Sequence, residues 1–363
     1  MDKIEEVFQD KTTPAVFTDY LPKILDDGKR SLARLRPQAW TVEPVKGCNL
    51  TCGFCTARLY PRGEFNFMAM ETWQNILDII KVIAPMSRIM LGGIGEPTLH
   101  PQLPDFFRAL RKTCPAVQVM MFTNGTKLLD GSVKHSDFLD AGVNMIYVDM
   151  YGHKKRHEQL AKESGYEWYD YTHKKSSEGF SYKNEPDRRM ILLCPNPAEW
   201  TPLKKRVMFT TFLNNLDWEA AKKFGLTPTV SAPDRRCDRP AKQVMVFSNG
   251  DYSFCCCDSM REVAGTLGNV SDGVDGFFNY WFGEYMQMTR RMLDQKNRKG
   301  HPMCSRCSQS SSYSDIPVWP ANWYDNYYDG EKWARLPDQV ASLPVLEPAS
   351  SEEQKSRISL NIV

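Results

Sequence analysis

The stretch Lys46-Gly47-Cys48-Asn49-Leu50-Thr51-Cys52-Gly53-Phe54-Cys55 carries three closely spaced cysteines. The C-x-x-x-C-x-x-C spacing places three thiolates on one short loop, which suits one face of an iron–sulfur cube. A 4Fe–4S cluster takes four ligands, so three thiolates without a fourth nearby leave one iron open to a ligand other than protein. The alternative is structural zinc, but zinc takes four closed protein ligands, usually in paired C-x-x-C or C/H units. The spacing therefore favours a cluster with an open iron on Cys48, Cys52 and Cys55.

Two further motifs follow apolar runs of the kind that form buried strands. Gly92-Gly93-Ile94-Gly95-Glu96-Pro97 comes directly after Arg88 to Leu91, and Thr123-Asn124-Gly125 ends the run that starts at Val117. Glycines at such a position let the backbone approach a ligand closely. The two motifs therefore mark candidate binding loops at strand ends.

Together these motifs resemble the signature of the radical S-adenosylmethionine (radical SAM) enzymes, with the cysteine loop followed by a GGxxEP segment. In that family the open iron binds the amino and carboxyl groups of SAM, and an electron from the cluster cleaves SAM to methionine and a 5′-deoxyadenosyl radical. The resemblance implies that the following residues bind SAM: Phe54, which precedes the last cysteine, Gly92, Gly93 and Glu96, with Thr123 and Asn124 nearby.

Residues 39–152 read as strands that alternate with helices. Strands are predicted at Trp40 to Val45, Arg88 to Leu91, Val117 to Phe122 and Met145 to Met150, with helices at Met70 to Ala84, Phe106 to Leu110 and His135 to Ala141. This alternation indicates an α/β fold of parallel strands with right-handed crossovers, whose sites lie at the carboxyl ends of the strands. The resemblance implies a partial (β/α)6 barrel, for which Arg206 to Phe212 and Leu226 to Ser231 are the expected last strands.

The predicted domain organisation has four parts. An N-terminal helical extension covers 1–38, the barrel covers 39–233, a small β-hairpin and helix domain covers 234–312, and an aromatic C-terminal extension and tail covers 313–363. Within the barrel, residues 153–206 are rich in Lys, Arg and aromatic residues and read as an insertion. A solvated helix plus loop is the favoured interpretation of the insertion, because charge runs are usually surface; a substrate lid is the alternative.

A second set of cysteines lies beyond the barrel. Asn249-Gly250 between two apolar runs predicts a β-hairpin, with Cys237 before it, Cys255-Cys256-Cys257 at its far end, and Cys304 and Cys307 farther along. Strand alternation puts Cys257 on the same face as Cys255, so either is a candidate ligand. A zinc ribbon fits the same residues. Cys114 and Cys194 are most simply small buried hydrophobic residues.

This arrangement resembles the auxiliary-cluster module of SPASM and twitch radical SAM proteins. The resemblance implies that Cys237, Cys255, Cys304 and Cys307 hold a second 4Fe–4S cluster. Because no cysteine follows Cys307, the pattern is closer to the twitch form, which has one auxiliary cluster. Four thiolates leave no iron open to substrate, so such a cluster can only pass electrons.

The expected function is hydrogen-atom abstraction from a substrate C–H bond, with net oxidation through the second cluster. A base must also take a proton, and Asp149, Tyr151 and His153 are candidates by position, although a structural or ribose-contacting role fits them as well. Rival functions are a peptide maturase that crosslinks or epimerises a precursor peptide, and a modifier of nucleotides or nucleic acid. A non-catalytic iron–sulfur or zinc protein would not explain the GGxxEP segment.

The composition narrows the partners and the compartment. The 363-residue chain has 42% hydrophobic and 25% charged residues, as ordinary globular proteins do, and its net charge of +2 predicts neither membrane nor nucleic-acid binding. No secretion signal or membrane-length apolar run is recognisable. Eleven cysteines in such a chain favour metal ligation in a reducing cytoplasm. We expect a small-molecule or peptide substrate and an electron donor such as flavodoxin or ferredoxin.

Overall fold

The computed structural model describes residues 37–51, 55, 57, 61–84, 87–150, 152–170, 188–195, 237, 239–258, 261, 263–301 and 303–306. The predicted strands at 206–212 and 226–231 lie outside these residues, as do the C-terminal extension and nearly all of the N-terminal one. Four candidate site residues also lie outside them: Cys52, Phe54, Tyr151 and Cys307.

An eight-stranded sheet forms the centre of the described part. Its strands are β1 (Ala39–Val42), β4 (Arg88–Leu91), β5 (Gln118–Thr123), β6 (Met145–Met150), β7 (Glu167–Asp170), β8 (Met190–Pro195), β9 (Gln243–Val246) and β10 (Tyr252–Ser253). The order across the sheet is β10-β9-β1-β4-β5-β6-β8-β7, and every neighbouring pair is parallel except β9 and β10. The short strands β2 (Val45–Lys46) and β3 (Asn66–Phe67) form a separate antiparallel pair.

Helices connect the parallel strands and cover one face of the sheet. They are α1 (Met70–Ile83), α2 (Leu103–Thr113), α3 (Thr126–Leu129), α4 (His135–Leu139), α5 (Lys154–Glu163), α6 (Arg239–Lys242), α7 (Gly273–Trp281) and α8 (Glu284–Asp294). In α1 the apolar residues recur with a helical period and their side chains are buried. This helix packs against both α2 and α7, so it joins the barrel to the C-terminal region.

Strand alternation divides the side chains of the sheet between two apolar clusters. In β6, Ile146 and Val148 belong to the large core under the helices. Met145 belongs to a small inner cluster, and Tyr147 packs against that cluster. Because successive strand residues point to opposite faces, Asp149 also lies on the inner side. The inner face is therefore the concave side of a partial barrel, and the polar side chain of Asp149 lies at its edge, where β6 ends.

The predicted α/β architecture is confirmed, with two differences in detail. The first predicted strand is shorter, because the proline at position 44 has no N–H for the ladder, and the following residues pair with β3 instead. The predicted hairpin is present as β9 and β10, but β9 also pairs in parallel with β1. The C-terminal hairpin thus extends the barrel sheet.

The prediction of an insertion at 153–206 is wrong for the described residues of that range. They contain α5, β7 and β8, and β8 lies between β6 and β7 in parallel with both. The side chains of Met190 to Cys194 are all buried. The apolar run is short and charged residues such as Arg188 and Arg189 surround it. The composition of the segment therefore did not indicate a barrel strand.

No helix among the residues that the structure describes is both long and apolar enough to cross a bilayer.

Candidate functional site

The Glu96 carboxylate organises the loops at the carboxyl ends of β4 and β5. Its side chain is buried, and Oε1 accepts hydrogen bonds from Thr98 N at 3.0 Å and Thr123 Oγ1 at 2.7 Å. Oε2 accepts one from Asn124 N at 2.8 Å. Burial raises the pKa of Glu96, and these donors act in the opposite direction. A carboxylate oxygen offers two acceptor positions, and among the described residues Oε2 has the one donor, Asn124 N.

Asn124 connects this loop to the first cysteine motif. Its Nδ2 lies 3.5 Å from Cys48 Sγ and donates to Asn49 Oδ1 at 2.9 Å. Its Oδ1 accepts from Thr126 N at 3.0 Å, and Asn49 Nδ2 donates to Thr126 Oγ1 at 2.6 Å. The structure therefore brings together Glu96, Thr123, Asn124 and Cys48, four of the residues that the sequence predicts for this site.

The first cysteine motif presents its sulfurs as hydrogen-bond acceptors. Leu50 N lies 3.4 Å from Cys48 Sγ, and Ala57 N lies 3.5 Å from Cys55 Sγ. Burial is the main cause that raises the pKa of the Cys48 thiol to about 11, and the nearby Cys55 thiol raises it further. Hydrogen bonds to sulfur stabilise cluster thiolates and tune their potential. These donors fit a 4Fe–4S cluster, while the assignment of the individual ligands stays a prediction.

Glu43, a residue that the sequence analysis did not single out, supports the glycine loop (residues 92–97). Glu43 follows β1, is completely buried, and its Oε1 accepts a hydrogen bond from Gly95 N at 3.3 Å. A Cβ at Gly95 would lie 1.6 Å from the Val45 carbonyl oxygen, and Gly93 has φ +115°. Only glycine fits these two positions, because one has no space and the other has a left-handed backbone.

Arg261 forms an ion pair with the buried Glu43 carboxylate. Its guanidinium carbon also lies 4.4 Å from the centre of the Phe247 ring, which follows β9. Burial raises the pKa of Glu43, and the Arg261 charge lowers it. The segment after the C-terminal hairpin thereby contacts the loop that carries Glu96. The only sequence signal for this pair is an acidic residue at the end of an apolar strand.

Asp149 occupies the carboxyl end of β6 on the concave face. Its Oδ1 is shielded from solvent and has no hydrogen-bond partner among the residues that the structure describes. Burial raises the pKa of this carboxyl to about 7, and the Glu96 charge contributes to the increase. His153, by contrast, is exposed with φ +55° before α5, and its described contacts do not reach the Glu96 network. Of Asp149 and His153, the two predicted bases that the structure describes, Asp149 is the one with a shielded carboxylate oxygen at this position.

The second set of cysteines also comes together. The sulfurs of Cys255, Cys256 and Cys257 all lie within 4.8 Å of one another. Burial raises the pKa of Cys237 and of Cys304, and nearby Cys257 contributes in both cases. The described cysteines are all free thiols. The structure therefore brings the three thiols of the hairpin together, two of them half-buried, and places the buried Cys237 and Cys304 thiols within electrostatic range of Cys257. This donor set suits an iron–sulfur cluster.

His301 fixes the position of the chain segment that carries Cys304 relative to the hairpin cysteines. His301 Nδ1 accepts hydrogen bonds from Met303 N and Cys304 N, each at 3.3 Å. The His301 ring lies 4.9 Å from the Phe254 ring, directly before Cys255. The loop that holds Cys304 is thus packed against the hairpin that holds the cysteine triplet.

Comparison with known proteins identifies one domain around each group of cysteines. The radical SAM superfamily model matches residues 42–181, and the model of the SPASM iron–sulfur cluster-binding domain matches residues 237–308. The chain therefore carries a radical SAM domain followed by a SPASM-type domain. These two domains imply SAM and 4Fe–4S clusters as cofactors, one of the clusters being auxiliary.

Two curated relatives match part of the chain. The tungsten-containing aldehyde ferredoxin oxidoreductase cofactor-modifying protein of Pyrococcus furiosus is 33% identical over 109 residues, which are 30% of this chain and 29% of that protein. The 7,8-dihydro-6-hydroxymethylpterin dimethyltransferase of Methanocaldococcus jannaschii is 28% identical over 116 residues, which are 31% and 22%. The chain thus matches less than a third of each relative.

Among solved structures, BtrN in complex with AdoMet and 2-DOIA aligns with a TM-score of 0.54 at 17% identity. The alignment covers 76% of this chain and 94% of BtrN. At this identity the likeness shows the fold, which agrees with the partial barrel and its C-terminal domain.

Proposed function

We propose that this enzyme removes two electrons and two protons from a small polar substrate, at a carbon that bears a hydroxyl or amino group. Cys48, Cys52 and Cys55 hold the first cluster, and Cys237, Cys304, Cys307 and one of Cys255 or Cys257 hold the second. When bound, the first cluster and SAM supply a 5′-deoxyadenosyl radical that takes a hydrogen atom from the substrate carbon.

The triplet of hairpin thiols, with Cys237 and Cys304 near it, is the observation that carries this proposal. A substrate that has lost one hydrogen atom becomes a stable carbonyl or imine only after it also loses one electron and one proton. The electron needs an acceptor, and a cluster closed by four thiolates accepts electrons without binding substrate. One electron is consumed to start each turnover and one is returned, so the net change is oxidation of the substrate.

Asp149 is the acceptor of the proton in this proposal. Its pKa of about 7 lets the carboxylate and the carboxylic acid interconvert near neutral pH. Among the described residues Oδ1 has no hydrogen-bond partner, so it can receive a hydroxyl or ammonium hydrogen from the substrate. Asp149 lies near Glu96, so this base is on the same side of the sheet as the proposed SAM contacts.

The test uses the reconstituted holoenzyme with SAM, reductant and a panel of small polyols and amino polyols deuterated at the reacting carbons. We expect a product that is two mass units lighter than its protium substrate and deuterium in 5′-deoxyadenosine. Cys237→Ala/Cys304→Ala should still form 5′-deoxyadenosine but no oxidised product. Cys114→Ala is the matched control, because that buried thiol donates to the Leu77 carbonyl and packs in the core under the helices.

Two outcomes would contradict the proposal. Unchanged oxidation by Cys237→Ala/Cys304→Ala would remove the second cluster as electron acceptor. A product of unchanged mass, or turnover of linear peptides alone, would point to epimerisation or to peptide maturation instead.

A further inference from the structure

Two buried arginines lie beside the second group of thiols. Arg239 is the first residue of α6 and is 4% exposed, and Arg298 follows α8 and is 1% exposed. Guanidinium groups stay protonated in proteins, so both side chains carry a full positive charge. Burying such a charge is costly unless an anionic partner is close.

The partners of Arg239 are the cysteine sulfurs. Its Nη1 lies 3.1 Å from Cys256 Sγ. Although burial acts to lower the pKa of Arg239, the thiol groups of Cys255, Cys256, Cys257 and Cys237 raise it well above its usual value. Among the described residues, the groups that stabilise the Arg239 cation are therefore these cysteines, and they do so when they are thiolates.

A third arginine holds α6 in place. Arg290 Nε donates to the Pro240 carbonyl at 3.0 Å, and its guanidinium lies 4.1 Å from the centre of the Trp281 ring. Because Pro240 is the next residue after Arg239, this contact fixes the backbone that carries the Arg239 side chain.

Arg298 is fixed beside Cys304 through His301. The His301 N–H donates to the Arg298 carbonyl at 3.1 Å, and His301 Nδ1 accepts from Cys304 N at 3.3 Å. In agreement with this placement, the Arg298 charge opposes the effect of burial on the pKa of Cys237 and of Cys304. The two arginines thus lie on different chain segments beside the second set of cysteines. Arg239 lies near the hairpin, and Arg298 lies near Cys304.

A 4Fe–4S cube with four thiolates is anionic in its oxidised form and gains one more negative charge when it is reduced. Two fixed positive charges in a buried, weakly screened place therefore favour the reduced form. Net charge, hydrogen bonds to sulfur and solvent exposure are the factors that set the potential of such clusters.

We propose that the positive charges of Arg239 and Arg298 raise the reduction potential of the second cluster, so that it accepts an electron from the substrate radical. The inference rests on the proposed function, in which the second cluster is the electron acceptor. The potential can be measured without substrate, so the two claims fail separately.

The test is a redox titration of the holoenzyme followed by electron paramagnetic resonance, with Arg239→Gln and Arg298→Gln compared with the parent. Each change should make the second cluster at least tenfold harder to reduce, which is a shift of about 59 mV or more for one electron. The potential of the first cluster is the internal reference. Arg239→Lys and Arg298→Lys should recover most of the shift, and Arg108→Gln on the exposed face of α2 should cause none.

Equal potentials in the parent and both Gln variants, with both clusters loaded, would overturn the proposal. If only one Gln variant loses iron, the other decides by the same criterion. Loss of the second cluster in both would also overturn it, because the charges would then serve assembly. A protein with a single cluster would instead defeat the proposed function.

Discussion

Replacing Arg261 by methionine should uncouple the C-terminal segment from the glycine loop. Arg261 pairs with Glu43, whose side chain is completely buried while that of Arg261 is 12% exposed. Removing one partner of a buried pair costs about 3–5 kcal/mol, because the remaining charge is left uncompensated. For a protein of 363 residues, each kcal/mol lowers the melting temperature by about 1.3 °C. We therefore expect the anaerobic holoenzyme with Arg261→Met to melt about 4–6 °C below the parent.

The double variant Glu43→Gln/Arg261→Met separates the charge from the loss of packing. The introduced amide side chain would keep an oxygen that accepts the Gly95 N–H, and it carries no charge. This double variant should recover most of the lost stability, since replacing both partners of a buried pair is often nearly neutral. Apparent melting temperatures are compared at one scan rate, because iron–sulfur proteins unfold irreversibly.

The pH dependence of the single variant gives a second criterion. Burial raises the pKa of Glu43, and the Arg261 charge lowers it. Without Arg261 the folded-state pKa rises further above its unfolded value, so the protonated form stabilises the fold at low pH. That stabilisation is lost as the pH rises through the folded-state pKa. The deficit of Arg261→Met relative to the parent should therefore be larger at pH 8.5 than at pH 6. An equal deficit at both, or no recovery in the double variant, would refute the reasoning.

Three other changes test the remaining groups. Asp149→Asn should keep 5′-deoxyadenosine formation but lower oxidised product by at least about 100-fold, and product formation by the parent should rise with pH through about 7; a flat profile would argue against this base. Gly95→Ala should abolish SAM binding measured by equilibrium dialysis, because its Cβ would lie 1.6 Å from a backbone oxygen, whereas Gly131→Ala has open space and should cost only about 1–2 kcal/mol of stability. Burial lowers the pKa of His135 and His157 to about 4, so stability is full above about pH 6.5 and falls as the pH drops towards 4; His157→Gln should flatten that part of the melting profile.

The cluster motif and the glycine loop could be predicted because their chemistry is local in sequence. Three thiolates on one loop and glycines after a strand restrict the ligand before any packing is known. The first four parallel strands also followed from alternating periodicity, since each strand and helix is a separate apolar run. These parts of the fold are confirmed by the sheet order.

The contacts between distant segments could not be predicted from the sequence. Glu43 and Arg261 are 218 positions apart and belong to no motif, so only the folded chain shows that they meet. Arg239 and Arg298 look like ordinary surface cations in the sequence, although both are buried. Strand β8 was missed for a related reason, because its short apolar run lies in a charged stretch and its role depends on the partners beside it.

The central claim is that the protein holds one 4Fe–4S cluster open to SAM and one closed by protein thiolates. Mössbauer spectroscopy of the 57Fe-reconstituted holoenzyme, with and without SAM, tests it most directly. We predict about eight irons in two cubes, of which SAM changes the signal of one iron site only. In Cys237→Ala/Cys304→Ala about four irons should remain and should still respond to SAM. About four irons together with bound zinc in the parent, or a SAM response in both cubes or in neither, would contradict the account.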